Sequence, residues 1–283
     1  MTRVDAHHHL WDTRARDYPW MDGPWADPLR GSFGLGEFIR ASRGHDVGPS
    51  VVVQAVTDRD ESRELLALAA DAPRLAGVVG WVDLTAADVG EQIEALRAGP
   101  GGGRLVGIRH QVEDEPDPDW LRRDDVVRGL SEVGAAGLAY DLLVKPPQLP
   151  AAIEAVRRRP DVPFVLDHLG KPPIGDDLDD WSVSLATLAD QPNVVAKLSG
   201  LVTEADWRSW TVDQLRPCLD HALAVFGPRR LMFGSDWPVC TLAATYGEVV
   251  GVVDEALAGL SVAEREAVLV TTAVETYGLA GVD

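Results

Sequence analysis

Eight short runs rich in Val, Ile, Leu and Ala recur along the chain, and polar stretches with helical periodicity separate most of them. The runs are Val4–Trp11, Pro49–Val56, Ala76–Leu84, Leu105–Val112, Gly137–Val144, Pro163–Leu169, Asn193–Leu201 and Arg230–Trp237. Each is bounded by Gly, Pro or Asp, the signature of strands buried on both faces. Between them, Arg59–Ala70 groups Leu65, Leu66 and Ala69 on one face, and Asp88–Arg97 pairs Ile93 with Leu96. Further helices read at Trp120–Val133, Pro147–Arg159, Asp179–Asp190, Val212–Phe226 and Leu242–Leu260, with Ser261–Tyr277 closing the chain behind a Ser261/Glu264 capping box. Strict strand–helix alternation implies a parallel sheet covered by helices. Eight repeats in 283 residues favour a closed (β/α)8 barrel, a TIM barrel, as one domain over residues 1–283. No GxGxxG follows the first strand, and Gly101–Gly103 precedes a strand, so neither cradles a phosphate. Thr13–Gly36 is a long first loop holding Trp20, Trp25 and three prolines, placed to act as a lid.

Composition narrows the partners. A net charge of −19 repels nucleic-acid backbones and anionic lipid, and no apolar run is long enough to span a membrane. The expected partner is a small molecule; assembly is left open, with a homo-oligomer compatible. Met1 to His9 show no secretory pattern, and Cys218 and Cys240 lack any metal or disulfide spacing, so a cytoplasmic protein with reduced thiols is expected.

In a barrel of this kind the chemistry lies at the C-terminal ends of the strands. The first run reads Asp5-Ala6-His7-His8-His9-Leu10-Trp11; two-residue alternation puts Asp5, His7, His9 and Trp11 on one face and His8 on the other. Two imidazoles at i and i+2 can converge on a cation or a substrate oxygen. Asp236, at the end of the eighth strand, is placed as a general base for water or as a metal ligand. Arg109 ends the fourth strand, where its fork can clamp a carbonyl. Asp167 reads as structural because its neighbour His168 takes the opposite face. Only three of the 26 basic residues are lysines, and Lys145, Lys171 and Lys197 all fall at strand ends, which suggests a cationic mouth. The acidic run Glu113–Asp119 lacks EF-hand spacing and reads as a solvated face.

The segments Asp5–Trp11, Gly107–His110, Asp167–Pro172 and Gly234–Pro238 together resemble the amidohydrolase superfamily, and within it sugar-lactone hydrolases of the L-fuconolactonase and L-rhamnonolactonase type. The resemblance runs in order from the first strand to the eighth. It implies a (β/α)8 barrel in which water attacks an ester carbonyl, with His7 and His9 as the strand-one pair, His168 as the strand-six histidine and Asp236 as the strand-eight aspartate. The fourth strand has no bridging lysine and the fifth offers Asp141 without a histidine, so a two-metal centre does not fit. Either one divalent ion (Zn or Mn) sits on His7, His9, Asp236 and His168, or no metal is needed, because an ester carbonyl is electrophilic enough for a cation to stabilise the oxyanion. On this reading the substrate is an aldonolactone such as a 6-deoxy-sugar lactone. Asp236, His168 and Arg109 carry the chemistry, and Lys171, Trp11, Trp20, Trp237, His110 and Asp141 contact the substrate. The rivals are a metal-dependent, non-oxidative decarboxylase of an aromatic acid and a barrel that binds a sugar without turnover.

Overall fold

A computed structural model describes residues 2–281. The β-branched runs form eight strands: β1 (Arg3–His8), β2 (Val47–Val53), β3 (Leu75–Gly80), β4 (Leu105–His110), β5 (Ala139–Leu142), β6 (Phe164–Leu166), β7 (Val194–Leu198) and β8 (Leu231–Phe233). Each pairs in parallel with the next in chain order. The seam between β8 and β1 is bridged just past the strands, where Asp236 N–H donates to His7 O (2.8 Å) and His9 N–H donates to Trp237 O (2.7 Å). These two bonds nearly close a (β/α)8 barrel and set the Asp236 backbone beside the strand-one histidines.

Two apolar layers follow from the alternation of side chains. Inward-pointing Val4, Ala6, Val51, Ala76, Val79, Ala139, Val165 and Met232 fill the lower barrel, plugged from below by Ala273, Tyr277 and Leu279. Outward-pointing Ile108, Tyr140, Phe164, Val194 and Leu231 meet the helices through Leu130, Val156, Leu185 and Leu219. A fully buried side chain such as Phe164 carries about 3–5 kcal/mol in such a layer, judged by truncation to alanine.

Some boundaries shift for local reasons. The expected helix from Leu242 begins at Tyr246, because Thr245 caps it and Glu248 completes a capping box. The Ser261/Glu264 box caps Val262–Glu266 as read from the sequence, and a π-turn at Ala267–Thr271 then leads into Thr272–Tyr277. The long first loop is tied down. Ser32–Phe33 pairs with Trp11–Asp12, Arg16 reaches Asp58 (3.2 Å) and Glu64 (3.0 Å), and Trp20 Nε1 donates to Ala55 O at 2.7 Å. Among the described residues no helix is long and apolar enough to cross a membrane.

Candidate active site

The pairing of β1 with β2 slips between Asp5 and His8. That irregularity turns His7 into the barrel while Asp5 points outward, where it accepts from Tyr246 Oη (2.8 Å) and Ser235 N (2.9 Å). The expected shared face of Asp5 and His7 is therefore corrected: a bulge, not strict alternation, governs this strand end. His8 faces outward as expected, stacked on Phe38 with ring centroids 3.8 Å apart.

His9 Nδ1 lies 2.8 Å from Val53 O, which makes that nitrogen the donor and leaves Nε2 a bare lone pair. That Nε2 sits 3.2 Å from His7 Nε2 and 3.4 Å from Asp236 Oδ1. His7 Nε2 is 3.6 Å from the same carboxylate oxygen, and its Nδ1 is 3.2 Å from Asp167 Oδ1. Burial drives the His7 pKa well below 6.5 and lowers that of His168, so both rings are neutral at neutral pH. Burial works to raise the Asp236 carboxyl, but a proton on the neighbouring imidazoles, His168 first, favours its charged form, and the carboxyl lies below its ordinary range.

His168 reaches this group by an unusual route. His168, Leu169, Gly170 and Lys171 all adopt positive φ, between 53° and 71°. This left-handed turn swings His168 back over the barrel, with Nδ1 2.8 Å from Ser199 Oγ and Nε2 3.9 Å from Asp236 Oδ1. It passes so close to Gly200 that a Cβ there would lie 2.5 Å from Nδ1. Asp236 is itself left-handed (φ 56°), and such outliers gather where function holds the backbone.

Ligand atoms of His7, His168 and Asp236 all lie within 4.8 Å of one another. When His7 Nδ1 donates to Asp167, two imidazole lone pairs and a carboxylate face each other with no proton between them. Mutually repelling acceptors of nitrogen and oxygen type are the donor set of a divalent ion such as zinc, so these residues fit one.

Beneath them lies a layer of buried charge. Lys197 Nζ contacts Asp141 Oδ2 (2.5 Å), Asp167 Oδ1 (2.9 Å) and His7 Nδ1 (3.2 Å), while Arg109 Nη1 contacts Asp167 Oδ2 (3.0 Å). Asp167, read from the sequence as structural, is thus central to the network: it faces inward just past the end of β6, and the turn brings His168 in as well. Above lies a cleft of ≈ 360 Å³ with His9, Arg109, His168 and Asp236 on its floor, and Trp20, Trp25 and Trp207 among its walls.

Several expected contacts fall elsewhere. Trp11 is buried under the first loop, its Nε1 donating to Leu29 O, and Trp237 is packed on Phe33 and Phe38; neither faces the cleft. His110 points out of the barrel, stacked on Trp120 and bonded to Trp81 and Glu115. Asp141 lies below the cleft with Lys197 and Tyr277. Of the three lysines expected at a cationic mouth, Lys145 and Lys171 do line the cleft, but Lys171 is paired with Glu113 at 2.5 Å and Lys197 lies in the core. Glu113 and Asp114 line the cleft instead of forming a solvated face. Trp207 and Glu204 were missed; both lie in the segment that follows β7, at and beyond the end of the short helix Leu201–Glu204, and position past a strand end was the available signal.

Residues 4–279 match the amidohydrolase family model. The chain belongs to the amidohydrolase family. It is similar to an L-fucono-1,5-lactonase of Burkholderia multivorans, 44% identical over 98% of this chain and 96% of that protein. A second L-fucono-1,5-lactonase, from Burkholderia ambifaria, is 37% identical over 87% of this chain and 83% of that one. A crystal structure of an amidohydrolase from B. multivorans with bound zinc superposes with a TM-score of 0.93 at 41% identity, over 99% of this chain and all of that one. Within this amidohydrolase, the shared architecture places the histidine–aspartate cluster at the C-terminal mouth of the barrel.

Proposed function

We propose that this amidohydrolase opens a small neutral sugar lactone, an aldonolactone of the 6-deoxy type, by water attack on the ester carbonyl. The likeness to the two L-fucono-1,5-lactonases supports the substrate class. The observation that carries the chemistry is the meeting of His7, His9, His168 and Asp236 beneath an open, aromatic-walled cleft.

His7, His168 and Asp236, with His9 beside them, would hold one divalent ion, and the related B. multivorans structure carries bound zinc. When bound, that ion supplies positive charge that makes a neighbouring water more acidic. Asp236, ionised at neutral pH, takes the proton as the water oxygen bonds to the carbonyl carbon. Arg109 is fixed by Asp167 and by the Gln54 carbonyl, so its guanidinium stabilises the charge developing on the carbonyl oxygen without having to reorganise. Collapse breaks the ring C–O bond, Asp236 returns its proton to the departing alkoxide, and the aldonic acid leaves. Trp20, on the cleft wall with its indole N–H already satisfied, offers its ring to the C–H face of the sugar. The buried, free Cys218 and Cys240 suit the reducing cytoplasm.

A lactone panel read by pH indicator, with and without chelator, tests this. Acid release from aldono-1,5-lactones supports the assignment. Release of carbon dioxide from aromatic acids with no lactone turnover overturns it.

A further inference from the structure

The upper wall of the cleft carries charges the mechanism does not use. Lys171 Nζ lies between two carboxylates, 2.5 Å from Glu113 Oε2 and 3.7 Å from Glu204 Oε1, and Lys145 Nζ is 3.9 Å from Glu113. Lys171 holds Glu113 ionised even though burial opposes it. Glu204 has no hydrogen-bond donor closer than that long ion pair among the described residues, yet its side chain is only 25% exposed and lines the cleft. Burial pushes the Glu204 pKa up against the pull of Lys171, as expected of a carboxylate short of donors, and sugar hydroxyls are donors that favour its charged form.

The buried cations of the cleft are held by carboxylates, Lys171 by Glu113 and Arg109, which faces the reacting carbonyl, by Asp167; the half-exposed Lys145 lies 3.9 Å from Glu113. Four carboxylates (Glu113, Asp114, Glu204 and Asp236) face the same space. A substrate bearing its own carboxylate would therefore meet paired cations and unpaired acceptors, in a protein whose net charge of −19 already opposes it.

We propose that Glu204, with Glu113 holding Lys171 beside it, is the specificity-determining group: it accepts hydrogen bonds from substrate hydroxyls and rejects lactones that carry a ring carboxylate. The inference rests on the lactonase assignment above and names the residue that restricts that site to uncharged sugars.

The test compares L-fucono-1,5-lactone with L-galactaro-1,5-lactone, which has a carboxylate where the former has a methyl group, in the wild type, Glu204→Gln and Glu204→Lys. Glutamine keeps shape and removes charge, and thermal unfolding confirms that the variants are folded. The wild type is expected to prefer the neutral lactone. Glu204→Gln should lower kcat/KM for it about 10-fold or more, chiefly through KM, since a hydrogen bond to a charged acceptor is lost. Glu204→Lys should raise turnover of the carboxylated lactone. A wild type that opens the neutral lactone, with selectivity unmoved in both variants, overturns this inference and leaves the lactonase assignment standing. A wild type that opens no neutral lactone overturns both.

Discussion

Replacing Lys197 with methionine tests the buried layer that supports the site. The ammonium touches Asp141 and Asp167, and all three side chains are inaccessible to solvent. Methionine keeps the bulk and removes the charge. Asp167 retains Arg109, but among the described residues Asp141 is left with only the Tyr277 hydroxyl. Breaking a buried pair from one side costs about 3–5 kcal/mol. In a chain of this size that lowers the unfolding midpoint by about 5–8 °C.

The loss must also depend on pH in a definite direction. Burial raises the Asp141 pKa from 3.8 to about 6, against the pull of Lys197. Between those values the folded chain holds a proton that the unfolded chain has released, so this group favours folding as pH falls through about 6. Without Lys197 its pKa climbs further, and at about pH 5.5 the carboxyl is neutral and the unpaired charge is gone. Calorimetry of both proteins should therefore show a large deficit at about pH 8 and a smaller one at about pH 5.5. An unchanged midpoint, or a deficit as large in acid, would refute the reasoning.

Gly200→Ala places a methyl group 2.5 Å from His168 Nδ1 at a φ of 68°. It should cost about 1–2 kcal/mol of stability. By displacing the imidazole it should also lower kcat/KM on the order of 100-fold, and wild-type kinetics would contradict that placement of His168. Elemental analysis of the purified protein should find one divalent ion per chain, lost in His168→Ala and Asp236→Ala; full occupancy in both variants would show that the ion sits elsewhere.

Much of the fold was legible because strand and helix alternate with different periods, and the barrel seam follows from that order. The residues at strand ends were harder to place. Alternation assigns His168 and Asp167 to opposite faces, but a left-handed turn brings both to the centre, and nothing in Asp-His-Leu-Gly-Lys encodes four positive φ values. A bulge likewise separates Asp5 from His7. Trp11 and Trp237 looked like substrate platforms because they end strands, yet the first loop needs a core of its own, and both were spent on packing. Lys197 was read as part of a cationic mouth because it ends a strand; its buried partners, Asp141 and Asp167, lie 56 and 30 residues away in sequence and could not be paired without the register.

Asp236→Asn bears most directly on the central claim. Asparagine tolerates the left-handed backbone that Asp236 adopts, and it cannot accept the proton of an attacking water. The account predicts that lactone turnover falls on the order of 100- to 10,000-fold while the unfolding midpoint stays close to that of the wild type. An asparagine enzyme that opens the lactone at the wild-type rate would contradict it.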